Sequence, residues 1–190
     1  MRWAFMVLNM SLLIGAPCRA QQPPVREASA GDFDFLEGRW SIVYNNKTPG
    51  FPRNVPGTWV GRREAESRVL YDEFRLMKPD GSTASLGATY RVFDHERKAW
   101  DMRYVNLINE APGGPRRRTA AWADLTAWRE GETVRVDQQG QNRKLRITYY
   151  NITADHFSWK ADLSTDGGIT WSPEHITIEA TRVAASGQSP

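Results

Sequence analysis

Through most of the chain, apolar and polar residues alternate one for one. Trp40, Ile42 and Tyr44 alternate with Ser41 and Val43, and Trp100, Met102 and Tyr104 sit between Asp101, Arg103 and Val105. Leu145, Ile147 and Tyr149 alternate with Arg146 and Thr148, and Phe157, Trp159, Ala161 and Leu163 do so with Ser158, Lys160 and Asp162. Val134 and Val136 repeat the pattern, as do Ile176, Ile178 and Ala180. Val69 to Phe74 is a short β-rich run, and Ala88 to Phe93 alternates before the polar turn Asp94 to Lys98. Period two with aromatic and β-branched enrichment predicts strands with one buried face. No window carries a long 3.6-residue apolar pattern. Asp32 to Gly38 and Ala120 to Trp128 each read as one short helical turn. The expected fold is all-β. About eight to ten antiparallel strands would form a sandwich or, preferred here, an up-and-down barrel.

The beginning of the chain has a different texture. Arg2 precedes a mostly apolar stretch from Trp3 to Ile14, and small residues flank Arg19 at Cys18 and Ala20. That order reads as a signal peptide over residues 1–20, cleaved to leave Gln21 first. The stretch falls short of the roughly 20 residues of a membrane-spanning helix. Pro17 before Cys18 fits a lipoprotein site poorly. Residues 21–31 read as a flexible leader, 32–182 as one β domain and 183–190 as a disordered tail. The expected location is periplasmic or secreted, without stable membrane insertion.

Export would change the charge balance. The full chain carries 25 basic and 22 acidic residues; losing Arg2 and Arg19 leaves 23 basic ones. A net charge of +3 becomes +1, which removes most of the case for nucleic acid. The lone cysteine, Cys18, departs too. A domain without disulfides must be held by its core, and about 170 residues suffice for one.

The segment Asp32-Phe33-Asp34-Phe35-Leu36-Glu37-Gly38-Arg39-Trp40 opens the domain, and Ile178-Glu179-Ala180-Thr181-Arg182 closes it. This pairing resembles the calycin superfamily of lipocalin-like barrels and, more narrowly, a group of bacterial exported calycin-like proteins. The resemblance implies a helical turn plugging one barrel end, with Trp40 of Gly38-x-Trp40 on the floor. It also implies Arg182 packed across the indole, a cation–π contact that strengthens where water is excluded. Ser164-Thr165-Asp166-Gly167-Gly168-Ile169-Thr170-Trp171 resembles the Asp-box hairpin of sialidase propellers. One copy in so short a chain implies a structural turn.

Candidate chemistry is sparse. The resemblance also takes in nitrobindins, which bind haem through a histidine near the last strand. His175 is the tempting counterpart, but parity with Arg182 turns it outward; His95 in a turn and His156 at a strand start are no better placed. No cofactor is therefore expected, haem being the exception to watch. Three dispersed histidines and no mature cysteine argue against a metal site. Gly113-Gly114-Pro115-Arg116-Arg117-Arg118 reads as a solvated basic connection, or as a lid touching an acidic ligand.

Polar residues on strands remain. Asp72 and Glu73 are neighbours, so one faces inward. Arg91 either joins an outward ion pair or enters the cavity. The inward reading gathers Glu73, Arg91, Trp100, Tyr104 and Trp159 into an aromatic pocket with a charged anchor. The expected function is binding of a small, mostly apolar or amphipathic molecule inside the barrel. An isomerase, cyclase or hydratase using Glu73, Asp72 or Tyr104 is the second reading. An interaction module with a filled core is the third.

Overall fold

A computed structural model describes residues 28–110, 121–138, 140 and 142–184. The signal peptide, most of the leader and tail, and the basic loop read at 113–118 lie outside the described residues. Ten strands follow a 3-10 turn at Asp34–Leu36. They are β1 (Gly38–Asn46), β2 (Val55–Glu64), β3 (Val69–Met77), β4 (Thr83–Asp94) and β5 (Ala99–Asn109), then β6 (Ala121–Glu130), β7 (Thr133–Gln138), β8 (Lys144–Tyr150), β9 (His156–Ser164) and β10 (Ser172–Arg182). Every strand pairs antiparallel with its chain neighbours, and β1 pairs with β10 to close an up-and-down barrel. The fold agrees with a calycin-like architecture.

Two strands carry no sequence alternation strong enough to predict them. In β2 the inward positions are Val55, Gly57, Trp59 and Gly61. The glycines are imposed by their neighbours. A Cβ on Gly57 would lie 2.2 Å from the Arg75 carbonyl oxygen and 3.0 Å from Ile42. One on Gly61 would lie 2.2 Å from the Leu36 carbonyl oxygen, so the 3-10 turn can settle onto β2 only because Gly61 has no side chain. In β6 the segment expected to turn helically, Ala120 to Trp128, is instead extended over its described part. Ala123, Leu125 and Ala127 point inward opposite Tyr104, Met102 and Trp100. Small residues read as helix formers because intrinsic propensity favours them; pairing on both sides overrides that preference.

A strap seals one end. Ala28 donates its N–H to the Lys98 carbonyl at 3.2 Å. Buried Asp32 accepts from the Ser29 N–H at 2.7 Å and from Arg129 Nε at 3.0 Å. Phe33 then plugs the barrel, edge-on to Trp100 at 5.2 Å and to Tyr149 at 5.7 Å. Arg63 holds the turn from outside by pairing with Glu37 at 2.7 Å and with Asp34.

The last strand completes the seal. The Arg182 guanidinium lies 4.1 Å from the centre of the Trp40 ring, which is fully buried. It donates to the carbonyls of Ala154 at 2.5 Å, Glu37 at 2.6 Å and Phe35 at 3.1 Å. Gly38 makes room. Its φ of +104° suits glycine, and a Cβ there would lie 2.6 Å from Arg182 Nη1.

The hairpin joining β9 and β10 is the Asp-box segment. Asp166 accepts the Thr170 hydroxyl at 2.6 Å, the Thr170 N–H at 2.9 Å and the Ser164 hydroxyl at 2.8 Å. These bonds, led by Thr170, hold its carboxyl far below the usual range. Gly167 and Gly168 take positive φ, and Trp171 donates to the Gly168 carbonyl at 3.0 Å beneath Arg146. The segment is a self-contained turn.

Candidate functional site

The barrel interior divides into two halves. In the half behind the strap, most inward side chains are sealed: Trp40, Leu70, Asp72, Arg91, Val134, Val136 and Phe157 are all 1% exposed or less, while Phe93 beside Trp100 is partly buried. Towards the other end, which we call the mouth, Leu76 and Ile176 are buried but several other inward residues keep contact with solvent. Phe74 on β3, Tyr104 on β5, and Leu145 and Ile147 on β8 are only partly buried although strand parity turns them inside. Tyr44 and Trp159 border them at 9% and 8% exposure. We call this set of partly exposed inward aromatic and aliphatic residues, packed against the core, the cup. Two surface recesses open at the same end. One of about 180 Å³ runs from Gln138 and Leu145 to Trp171, and one of about 220 Å³ lies between Lys47, Arg53 and His175.

A buried polar cluster forms the boundary between the halves. Asp72 pairs with Gly61 and Thr89, which fixes it inward, and its outward neighbour Glu73 binds Arg75 at 2.8 Å. The inward acid is therefore Asp72, and the pocket placed around Glu73 is corrected on that point. Arg91 does enter the interior, but as a partner rather than an open anchor. Its Nη1 contacts Asp72 Oδ2, and both side chains are sealed. Asp72 Oδ1 accepts Trp59 Nε1 at 2.8 Å. Arg91 Nη2 reaches the Tyr149 hydroxyl at 3.4 Å across the barrel, and its guanidinium lies 4.9 Å from the Phe33 ring centre. Trp159 also hydrogen-bonds to the Tyr149 hydroxyl. Burial pulls the Arg91 pKa down and pushes that of Tyr149 up, and the Asp72 carboxylate supplies the counter-charge.

The remaining expected site residues separate. Trp100 lies under the strap, donating to the Ser29 carbonyl at 3.1 Å. Tyr104 and Trp159 belong to the cup. Sequence reasoning missed Trp59 and Phe74 as neighbours of the site; the alternation of Gly57, Trp59 and Gly61 was the available signal for the first. His175 faces outward with Thr177 and bonds the Thr48 hydroxyl at 3.1 Å. Among the described residues, no helix is long and apolar enough to cross a membrane.

Tyr104 is held flat by a missing side chain. A Cβ on Gly87 would lie 2.3 Å from the Tyr104 hydroxyl oxygen, so the phenol occupies that space. Burial pushes its pKa up to about 12. A tyrosine in the unfolded chain ionises near 10. The raised folded value therefore contributes stability that is intact below pH 10 and lost as pH rises towards 12. Urea midpoints measured from pH 9 to 12 should fall more steeply for the wild type than for Tyr104→Phe. Parallel curves would refute this assignment.

No protein-family model matches the chain, and no curated protein matches it in sequence.

Proposed function

We propose that this chain is an exported barrel that holds a small, mostly apolar molecule in the mouth half of its interior. The observation carrying the reading is the contrast within one barrel. Most inward residues behind the strap are sealed, Phe93 excepted, whereas Phe74, Tyr104, Leu145 and Ile147 keep partial exposure on inward faces. Apolar walls reached by solvent gain free energy when a ligand covers them, about 25 cal/mol for each Å². The buried cluster of Asp72, Arg91, Trp59 and Tyr149 serves as a rigid floor, joined by the Asp72–Arg91 ion pair and the bonds to Trp59 and Tyr149. Export rests on Arg2, the apolar stretch Trp3 to Ile14, and Ala20.

The neutral fluorophore N-phenyl-1-naphthylamine tests the cup. Protein recovered from the exported fraction should have an intact mass beginning at Gln21. It should bind the probe saturably, one to one, with a blue-shifted emission. Leu145→Trp, which fills the cup wall, should weaken binding at least tenfold at an unchanged urea midpoint. Ala123→Leu does the same from β6, two strands away, if the first variant loses stability. Absence of saturable binding, or binding undiminished in both variants, overturns the cup. A mass retaining residues 1–20 overturns export.

A further inference from the structure

The recess between Lys47, Arg53 and His175 lies on the outer side of the barrel, where Asn45 of β1 pairs with Thr177 of β10. Asn46 and Glu174 complete its lining, and its volume is about 220 Å³. That is below the roughly 300–1,000 Å³ of sites for drug-sized molecules, so a ligand held there is small. Lys47 and Arg53 each bring a full positive charge. Arg53 has no carboxylate partner among the described residues, unlike Arg63 and Arg75, which pair with Glu37 and Glu73. The Lys47 ammonium donates to the Pro173 carbonyl at 2.8 Å and keeps two further N–H groups. Glu174, the carboxylate in the lining, is bound by Lys160 at 2.9 Å, with Lys47 a weaker influence.

The frame around these cations is held by the protein itself. The Asn54 N–H donates to Asn45 Oδ1 at 2.9 Å, and Asn45 Nδ2 donates to Asn54 Oδ1 at 3.3 Å. This clasp holds the residue next to Arg53 against β1. The Lys47 N–H donates to the His175 carbonyl at 2.8 Å. The His175 ring bridges the Thr48 hydroxyl at 3.1 Å and the Ser172 hydroxyl at 3.2 Å. Left-handed backbone occurs on both sides of the recess at residues other than glycine, with φ of +52° at Asn54 and +47° at Glu174. The Glu174 N–H is taken by Asp162 Oδ1 at 2.8 Å. Such conformations cost free energy and persist where surrounding bonds over-determine them, a condition met often at binding sites. Burial, and after it the charges of Arg143 and Lys47, lower the His175 pKa. The ring is therefore neutral at pH 7.5, and the positive charge of the recess comes from Lys47 and Arg53.

We propose that this recess binds a small tetrahedral oxyanion, free or as the head of a phosphomonoester, between Lys47 and Arg53. The site is separate from the cup and does not depend on it. An ammonium is a point charge and a guanidinium a planar fork. A tetrahedral oxyanion has oxygens enough to meet both at once, with one corner left for solvent or an ester bond. Each contact is a charge-assisted bond, about twice as strong as a neutral one. Glu174 opposes the anion, but its pairing with Lys160 offsets that charge.

Titration with sodium phosphate and with sodium sulfate at pH 7.5 and constant ionic strength, followed by amide proton–nitrogen NMR spectra, tests the site. The amides of Asn54 and His175 should shift saturably in the low millimolar range, and sodium chloride at the same ionic strength should leave them in place. Arg53→Gln and Lys47→Gln should each weaken phosphate binding about tenfold. Glu174→Gln removes the negative charge from the lining and should tighten binding several-fold, a gain that a damaged fold cannot produce. Methyl phosphate bound as tightly as inorganic phosphate assigns the recess to a monoester head. A preference for the inorganic ion assigns it to the free anion, and either result supports the site. No saturable shift with phosphate or sulfate, an equal response to chloride, or an affinity unchanged in both Arg53→Gln and Lys47→Gln overturns it.

Discussion

Arg91→Met lowers the stability of the barrel by about 3–5 kcal/mol, the loss expected when one partner of a buried ion pair is removed. The size follows from where the survivor is left. Asp72 is fully buried, and among the described residues Arg91 is the charged partner of its Oδ2. Trp59 continues to serve Oδ1, but one indole N–H does not replace a guanidinium. Asp72→Leu alone should cost a similar amount, since it strands the guanidinium between Phe33 and the Tyr149 hydroxyl. The double variant Asp72→Leu/Arg91→Met should recover most of the loss, because matched apolar residues often replace a buried pair at little cost. Urea denaturation of the four proteins completes the cycle. A coupling smaller than about 1 kcal/mol would show that the two side chains do not depend on one another.

Arg182→Leu should cost about 3 kcal/mol or more, concentrated at one end of the molecule. Three carbonyls, those of Ala154, Glu37 and Phe35, lose their donor together. The exposed Ala154 carbonyl turns to water, but the part-buried carbonyls of Glu37 and Phe35 left without a donor cost up to about 1–3 kcal/mol each, and the lost cation–π contact on Trp40 adds to this. Arg182→Lys keeps the charge but cannot fork to several carbonyls, so it should recover only part of the loss. Amide exchange distinguishes this from general weakening. The N–H groups of Leu36 and Glu37, bonded within the strap at 2.9 Å and 3.1 Å, should open far more often while those of β7 and β8 stay protected. Uniform loss of protection would place the role of Arg182 in the whole barrel rather than in its seal.

The sequence made some of this legible for a physical reason. A strand with one wet and one dry face must alternate, so β1, β5, β8, β9 and β10 announce themselves, and the parity of β10 places Arg182 and Ile178 inside together. Trp40 and Arg182 are matched through the resemblance to lipocalin-like barrels, and each sits at the start or end of such a strand. Where the barrel needs absence of bulk, the pattern fails. Gly57 and Gly61 are inward positions occupied by other elements, Ile42 and the Leu36 carbonyl, and an inward glycine leaves no hydrophobic mark. Asp72 and Glu73 could not be told apart within their own strand. The answer lay in Trp59, whose indole meets Asp72 across a sheet pairing invisible in the chain.

The pairing of β1 with β10 also governs the order in which the molecule can form. Trp40 meets Arg182, and Asn46 meets Ile176, so the first strand finds this neighbour only when the last is available. Hairpins such as β4–β5 can assemble locally, but ring closure links residues more than a hundred positions apart, and such long-range contacts slow folding. Until then β1 and β10 are open edges, each able to recruit a strand from another molecule. A chain emerging from the ribosome would therefore stay unsealed until its final residues appear. Late closure makes β10 the segment whose truncation most readily turns this barrel into an aggregating sheet.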